Sequence, residues 1–192
     1  MSVFDIIKRR RSIGKVTNQR PTREQIERVL QAATHAPNHH KVEPWRFFVL
    51  AGRMRQELGE ILLSSLATRL EDTTSDKAQA LLTKERNKPL RAPVLIVVAS
   101  LHSTQSNVLD IENIEATAAA TENMLLTLEE MGLAAQWRTG DAAYDPRVKR
   151  WLGLAEEDTI VAFLYVGYPD MPYSERHPIP VAEKTTWLGW EE

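Results

Sequence analysis

The sequence predicts a three-layer α/β protein, in which a central sheet is covered by helices on both faces. Two segments, Ala92 to Leu101 and Thr159 to Val166, are apolar at successive positions over the length of a strand. This pattern is typical of strands that are buried on both faces. Amphipathic helical patterns alternate with the strand-like segments, and the longest of them runs from Asp110 to Met131. Four predicted strands interleaved with helices therefore favour a covered sheet.

The first two helices are marked by their charges and caps. Residues 3–10 are predicted to form a short helix, with the basic run Lys8–Arg11 near its negative end. Thr22 begins a second helix, because Thr22 and Gln25 have the spacing of a capping box. The proline that follows ends this helix near His35.

The next segments alternate between loops, strands and helices. A loop over residues 37–45 lies between two prolines and leads into a strand from Arg46 to Ala51. Residues 53–71 have helical spacing with a leucine-rich face, and residues 75–88 form a polar helix that we expect to be an exposed lid. The strongest strand and a polar loop over residues 103–109 come next.

The last third of the chain completes the sheet and ends in a tail. Gly132 is expected at the C′ position of the long helix, and Leu133 to Trp137 form a short strand. Asp145 and Pro146 then open another helix as N-cap and first helical residue. After the last strand, residues 168–192 contain four prolines and little periodicity. Such a tail is ordered only where it docks on another surface.

The composition is that of an ordinary globular protein and excludes several classes of function. The 192 residues, expected to form a single domain over 1–192, contain no cysteine, which excludes disulfides, iron–sulfur clusters and a cysteine nucleophile. The 24 Lys and Arg against 26 Asp and Glu give a net charge of −2, which argues against a general affinity for nucleic acid or anionic membranes. The longest apolar run, Pro93 to Ala99, is too short to span a bilayer, and the N-terminus lacks the order of a signal peptide. We therefore expect a cytoplasmic protein whose redox chemistry, if any, comes from a cofactor.

Common site motifs are absent from the sequence. It contains no Rossmann glycine fingerprint, P-loop, zinc-protease motif, nucleophile elbow or EF-hand loop. The histidines His35, His39 and His40 suggest a metal site, but Pro37 interrupts the helical spacing that would let the first two share an ion. We therefore expect no metal site at these residues. The alternative to a metal site is that all three are loop histidines that form hydrogen bonds with solvent and backbone.

Three further motifs each have two interpretations. Arg10, Arg11 and Ser12 pass from a helix into a loop and could hold a phosphate, or they could be a solvated helix end. The segment Trp137 to Gly140 follows a strand, so that Arg138 either lies in a ligand crevice or covers the sheet edge with its stem. The run Ala116–Ala120 indicates either plain helix propensity or close approach of a helix from a second subunit.

Taken together, these motifs resemble the FMN-dependent nitroreductase family, in particular its compact NAD(P)H nitroreductase branch. They occur in the family's order between residues 3 and 168, and four of them at matching separations are specific although each alone is common. The four motifs are Arg10-Arg11-Ser12, Ala36-Pro37-Asn38-His39-His40, Pro44-Trp45-Arg46-Phe47 and Trp137-Arg138-Thr139-Gly140.

The resemblance implies a fold, an assembly and a set of site residues. The fold would be α+β in three α/β/α layers with a mixed central sheet, and the assembly an intertwined homodimer with two FMN sites at the subunit interface. The FMN phosphate and ribityl end would be held by Arg10, Arg11 and Ser12. The same FMN would also be contacted by Trp137, Arg138 and Thr139 of the same chain. His35 and His39 would reach an FMN bound mainly by the partner chain. A stretch associated with NAD(P)H binding comprises Thr127, Leu128, Glu129, Glu130, Met131 and Gly132.

The resemblance also implies a reaction in which the flavin, and no side chain, is the catalytic group. NAD(P)H would deliver a hydride to the flavin N5, and the electrons would pass to a nitroaromatic, a quinone or another flat acceptor in a ping-pong cycle. Two alternatives stay open: a flavoprotein of the same fold that acts on a specific non-nitro metabolite, and a cofactor-free dimer. Many family members carry a basic residue two positions after the serine, where this chain has Gly14. The sequence therefore does not identify the cation that faces the flavin pyrimidine.

Overall fold

The structure, a computed structural model, describes residues 2–190, and these contain seven α-helices and four β-strands. The helices are α1 (Val3–Arg9), α2 (Arg23–Ala33), α3 (Arg53–Ala67), α4 (Asp76–Arg86), α5 (Asp110–Glu130), α6 (Asp141–Tyr144) and α7 (Pro146–Leu152). The strands are β1 (Trp45–Ala51), β2 (Val94–Ser100), β3 (Ala134–Arg138) and β4 (Thr159–Gly167). Short 3-10 turns lie at His39–Lys41, Lys88–Arg91 and Val181–Lys184.

The four strands form one sheet in the order β1-β2-β4-β3, and every neighbouring pair is antiparallel. The α+β class is confirmed, but the expected mixed sheet is not found in these strands, since the parallel pairing is a single bridge between Ser12 and Ala135. The connections explain this difference. Two helices join β1 to β2, and two join β3 to β4. In each case the next strand begins at the end of the sheet where the previous strand finished, and therefore runs antiparallel to it. The single helix α5 crosses from β2 to β3, which are not neighbours.

Helices cover both faces of the sheet, which confirms the three layers. Alternate residues of β2 point to opposite faces. Val94, Ile96 and Val98 belong to the core packed by α2 and α5. Leu95, Val97 and Ala99 belong to a second core, packed by α3 and α7. The two-faced apolar pattern of β2 therefore follows from its central position.

The helix ends predicted from sequence are confirmed. Thr22 Oγ1 accepts from the Gln25 amide at 3.2 Å, and Gln25 Oε1 accepts from the Thr22 amide at 2.9 Å, which completes the capping box. Gly132 has φ +70°, and the amide of Leu133 donates to the carbonyl of Leu128 at 2.9 Å. This is a Schellman arrangement, in which a glycine at C′ adopts the left-handed conformation without strain from a Cβ.

Helix α4, predicted as an exposed lid, instead packs firmly on α3. Its Ala78 and Leu82 are buried. Gly59 of α3 lies so close to the carbonyl of Arg86 that a Cβ at this glycine would collide with the oxygen. Helix α3 itself ends at Ala67, short of the predicted residue 71. The polar sequence of α4 thus reflects its solvent side only, and a small residue on α3 makes the contact possible.

The tail after β4 is docked for part of its length. The carbonyl of Tyr168 accepts from the Thr17 amide at 2.8 Å, and the Asp170 amide donates to the Lys15 carbonyl at 3.0 Å. From Met171 to Trp190 every residue is exposed. No helix within residues 2–190 combines the length and the apolar character needed to cross a membrane.

Candidate functional site

The structure brings two of the predicted segments to the same edge of the sheet. Ser12 forms the parallel bridge to Ala135, and the amide of Ile13 donates to the carbonyl of Ala135 at 3.1 Å. Gly14 lies beside Gln136, and a Cβ at Gly14 would be 3.1 Å from the Gln136 amide oxygen. Arg138 Nε donates to that oxygen at 3.0 Å. The segments Arg10–Ser12 and Trp137–Thr139 therefore meet along β3.

Arg10 is a partly buried cation with unused hydrogen-bonding capacity. It follows the last residue of α1, and its side chain is 21% exposed. Its Nε is buried and has no hydrogen-bond partner among residues 2–190. Glu122 Oε1 on α5 lies 3.3 Å away, which is close enough for an ion pair but not in line for a hydrogen bond. A buried, unsatisfied donor of this kind fits an additional anion.

Arg11, predicted to bind FMN beside Arg10, makes several hydrogen bonds within the described part of the chain. Its Nη1 donates to the carbonyls of Lys8, Arg9 and Arg10 at 2.7, 3.1 and 2.8 Å, and its Nε donates to the carbonyl of Ser174 at 2.7 Å. These bonds satisfy carbonyls at the end of α1, which have no partner within the helix. Arg11 thus caps α1 and ties it to the tail, while Arg10 and the exposed Ser12 remain available to a ligand.

A cavity of about 300 Å³ adjoins Trp137, Arg138 and Thr139 on the face of the sheet that α3 covers. Leu58, Leu62 and Phe163 make it apolar on one side. Three cations line it, Lys88, Arg91 and Arg138, together with one carboxylate, Asp141, which pairs with Arg69. Lys88 Nζ is held by Glu85 Oε1 at 2.6 Å, whereas Arg91 forms no ion pair within the described part of the chain. An apolar floor with an excess of positive charge suits a flat, anionic ring system.

Tyr165 also lines this cavity, directly opposite Gln136 in the β3–β4 register. Burial raises the pKa of the Tyr165 phenol, and the charges of Arg91 and Arg138 act in the opposite direction. Both cations therefore act on the same small volume. The sequence analysis did not identify three residues that line this cavity, Lys88, Arg91 and Tyr165. A basic turn just before the strongest strand and a polar position within a two-faced strand were the signals that could have found them.

His35 and His39 lie away from this cluster within one chain. His35 is exposed at the end of α2, and His39 opens the turn that precedes β1. Strands β1 and β3 are the two edges of the sheet, three strand spacings apart, which is about 14 Å. A single chain therefore places His39 and Arg138 at opposite edges. No group of three His, Asp or Glu side chains in residues 2–190 is arranged to hold a metal.

The turn at His39 has an unusual backbone and borders a second cavity. His40, Lys41 and Glu43 have φ values of 53°, 55° and 48°, and Asn38 Oδ1 accepts from the Glu43 amide at 2.9 Å. Residues held in this region of conformational space cost free energy, so the surrounding structure must fix them. The adjoining cavity, of about 450 Å³, lies between the segment Pro37–His39 and the residues Glu112, Glu115, Ala116 and Ala119 of α5.

The stretch predicted to bind NAD(P)H, Thr127–Gly132, is largely engaged inside the protein. Leu128 and Glu129 are buried, and Thr127 Oγ1 donates to the carbonyl of Asn123 at 2.8 Å. Glu130 is exposed and pairs with Arg28 of α2 at 2.8 Å. Met131 is half-buried and Gly132 is exposed. The side chains of Leu128 and Glu129 are therefore not open to a dinucleotide in this conformation.

Comparisons with known proteins agree with one another. The sequence model of the "Nitroreductase family" matches residues 7–168. The Escherichia coli K12 protein "Putative NAD(P)H nitroreductase YdjA" is 31% identical, over 94% of this chain and 95% of its own length. A nitroreductase-like family protein from Bacillus cereus has a TM-score of 0.83 and 28% identity, covering 98% of this chain and 97% of that one. An iodotyrosine deiodinase bound to FMN and 3-iodo-L-tyrosine has a TM-score of 0.68 and 24% identity, covering 93% and 96%.

Proposed function

The chain belongs to the nitroreductase family, and from that premise we propose that it is an FMN-dependent enzyme that passes electrons from NAD(P)H to a small flat acceptor. The observation that carries the proposal is the cavity at the β3 edge. It joins an apolar floor to three cations and one carboxylate, and the strand that borders it, β3, also carries the bridge to Ser12. A flavin with a terminal phosphate has the matching chemistry, because its ring is flat and its phosphate is a dianion.

The residues that would hold FMN come from three parts of the chain. Arg10 and Ser12 would bind the phosphate and ribityl end, with the Arg10 guanidinium as the charged group. Trp137, Arg138 and Thr139 would line the ring, as the cavity does. Arg91, which has no ion pair within residues 2–190, would supply the cation that Gly14 does not.

When bound, FMN takes up electrons from NAD(P)H and gives them to the acceptor in a ping-pong cycle. The protein's contribution is binding and electrostatics. Its apolar floor, formed by Leu58, Leu62 and Phe163, would exclude water from one side of the ring. Arg91 and Arg138 would stabilise the negative charge that a reduced ring carries, because opposite charges attract at short range. No side chain is assigned as a nucleophile or as a general acid or base.

A second candidate is reduction of a specific charged metabolite in place of a nitroaromatic or quinone. The similar fold of the iodotyrosine deiodinase structure, which holds FMN and 3-iodo-L-tyrosine, shows that this architecture accommodates a small zwitterion in that protein. In this chain, the cavity beside His39 is lined by Glu112 and Glu115, which favours an acceptor that carries an ammonium group. Comparing the rates for nitroaromatics, quinones and halogenated amino acids at equal concentration separates the two candidates.

We further propose a homodimer with FMN sites at the subunit interface. The tail leaves Ile179, Trp187 and Trp190 exposed, and Phe4 on α1 is exposed as well. A groove lined by Ile26, Leu30, Val49, Ala51 and Val94 lies beside the edge strand β1, where the outer backbone groups have no strand partner. Exposed apolar side chains and an open edge on one molecule are both covered when a second copy docks.

Substitution of Ala118 tests this assembly. Ala118 is half-buried on α5 beside the cavity residues Ala116 and Ala119. The Ala118→Arg variant is expected to be a monomer by light scattering and to lose bound FMN at the same time, because the large charged side chain cannot be buried in a close helix contact. A monomeric variant that keeps FMN tightly bound would contradict a two-chain site.

The visible absorption spectrum tests the proposed function directly. The purified protein, after incubation with FMN and removal of excess, is expected to be yellow and to bleach anaerobically with NADH or NADPH. Addition of an acceptor should then restore the colour. A protein that stays colourless, or that binds FAD in preference to FMN, contradicts the proposal.

A further inference from the structure

Glu129 forms a junction between three separate parts of the chain. It lies at the end of α5, and its side chain is only 2% exposed. Arg9, the last residue of α1, donates from Nε to Glu129 Oε1 at 2.6 Å and from Nη2 to the Glu129 carbonyl at 3.1 Å. Tyr173 of the tail donates its hydroxyl to Glu129 Oε2 at 3.3 Å. Both carboxylate oxygens are therefore engaged.

Burying a carboxylate costs free energy unless its partners replace the water it has lost. Arg9 supplies the opposite charge and Tyr173 a second donor. Burial raises the pKa of the Tyr173 phenol, and so does the neighbouring charge of Glu129. The phenol therefore keeps its proton and donates a hydrogen bond to the carboxylate. The junction is thus satisfied within the chain and presents no free group to a dinucleotide.

The junction holds the segment that the proposed function uses. Arg9 directly precedes Arg10, and the tail is fixed beside it because Arg11 Nε donates to the carbonyl of Ser174, the residue after Tyr173. On the other side, the Ile13 amide is bonded to Ala135 of β3. The segment Arg10–Ser12 is therefore fixed at both ends, by Glu129 at one and by the sheet at the other.

We propose that Glu129 is a positioning residue for the FMN-binding segment Arg10–Ser12 and is not a ligand of NAD(P)H. The proposal rests on the proposed function, since it concerns how tightly FMN is held. Glu129 acts through Arg9, which sets the end of α1 and hence the direction in which Arg10 leaves it. The neighbouring Glu130 is exposed and pairs with Arg28 of α2.

The test is titration of the FMN-free protein with FMN, followed by quenching of flavin fluorescence. Glu129→Gln keeps the size of the side chain and removes its charge, so that Arg9 loses its ionic partner. We expect the Kd for FMN to rise roughly tenfold, which is the order seen when an outer partner that orients a ligating group is removed. In protein saturated with FMN, the KM for NADH and NADPH should be unchanged. Arg9→Gln should give the same rise, and the double variant should add little to either single change.

Two control variants separate positioning from other roles. Glu130→Gln removes the adjacent surface carboxylate and should leave the Kd for FMN unchanged. Leu82→Ala creates a cavity beneath α4, which lowers the Tm without touching the junction or the residues that line the proposed FMN cavity. It should therefore lower the Tm at least as much as Glu129→Gln does and still bind FMN normally.

Each result has a distinct meaning. If the unmodified protein binds no FMN, the proposed function fails and this inference fails with it. If it binds FMN and Glu129→Gln binds equally well, the positioning role is overturned while the proposed function stands. A rise in KM for NADH without a change in the Kd for FMN would instead assign Glu129 to the dinucleotide. If Leu82→Ala weakens FMN binding as much as Glu129→Gln, the effect is general destabilisation, which also overturns the role.

Should Glu129→Gln fail to fold, Tyr173→Phe takes its place. This variant removes one hydroxyl and leaves the Arg9 ion pair intact. A rise of about threefold in the Kd for FMN is expected, because one of two donors to the carboxylate is lost. An unchanged Kd in Tyr173→Phe overturns the inference.

Discussion

Gly14 lies where the resemblance to the family leads us to expect a basic residue, and under the proposed function that charge would come from elsewhere in the chain. The space beside Gly14 holds Gln136, whose amide oxygen accepts from Arg138. The cavity beyond it contains Arg91 and Lys88. The sequence predicts Arg138 as a site residue but neither of the other two cations. Those two precede β2, and they approach β3 only because β2 pairs with β4 and β4 pairs with β3.

Arg91→Gln is expected to lower the reduction potential of bound flavin by roughly 30 mV, which corresponds to about 1.4 kcal/mol for a two-electron couple. The reason is that a cation beside the ring stabilises its reduced, anionic form more than its oxidised form. Reductive titration against a dye of known potential measures the shift. Lys84→Gln, on the exposed side of α4 and outside the cavity, should leave the potential unchanged. An equal potential in both variants would remove Arg91 from the flavin site.

Arg10→Ala is expected to weaken FMN binding by about 1.5–3 kcal/mol, or tenfold and more, while the Tm of the FMN-free protein changes little. A charge-assisted bond to the phosphate would be lost, whereas within the chain Arg10 makes only the ion pair with Glu122. Fluorescence titration of FMN-free protein gives the affinity. Arg23→Ala, on the exposed start of α2, is the matched control because its partner Glu27 lies on the same helix. If the two variants bind FMN equally well, the basic run at residues 8–11 is only a solvated helix end.

Arg11 shows the limit of reading a site from residue types alone. Two adjacent arginines after a short helix have the same donors, and nothing in their order distinguishes a phosphate ligand from a helix cap. In the structure, Arg10 leaves α1 in an extended conformation, while the Arg11 guanidinium turns back onto the carbonyls of Lys8, Arg9 and Arg10.

At the scale of elements, the sequence predicted those features that depend on neighbouring residues. The capping box of α2, the glycine that ends α5 and the two-faced strands β2 and β4 are all local patterns, and all are confirmed. The orientation of the strands and the packing of α4 depend on distant partners. Local polarity therefore suggested a lid for α4, whereas a contact with Gly59 on α3 determines where this helix lies.

Gly59→Ala tests whether α4 is docked on α3 in solution. A Cβ at residue 59 would meet the carbonyl of Arg86, so we expect the free energy of unfolding to fall by about 1–3 kcal/mol through overpacking. If α4 were a detached lid, the same change inside a helix would stabilise the protein by about 1 kcal/mol. The sign of the change in urea unfolding therefore decides between the two. Ser64→Ala, on the exposed side of α3, should change the stability by less than either.

At the scale of the whole molecule, the single chain leaves the predicted site residues in two groups. Arg10, Arg138 and the cationic cavity lie along β3, whereas His39 borders the other cavity, at the β1 side and against α5. Only the resemblance to the family predicts that His39 and the residues along β3 share one FMN site. No local sequence pattern indicates whether a loop contributes to the site of its own chain or to that of the partner. A dimer built through α5 would bring the His39 turn of one chain towards the β3 edge of the other.

A mixed dimer of Arg10→Ala and His39→Ala chains tests this arrangement. If His39 serves the partner's FMN, one site combines both changes, and the other combines an intact Arg10 from one chain with an intact His39 from the other. The mixed dimer should then keep one normal site of its two, with bound FMN and activity per dimer near half those of the unmodified protein. If His39 serves its own chain's FMN, each site carries one change and neither is normal. Differently tagged chains allow the mixed dimer to be isolated and compared with both parent homodimers. A mixed dimer that only averages the two parents would place His39 and Arg10 in the same chain's site, in spite of their positions at opposite edges of the sheet.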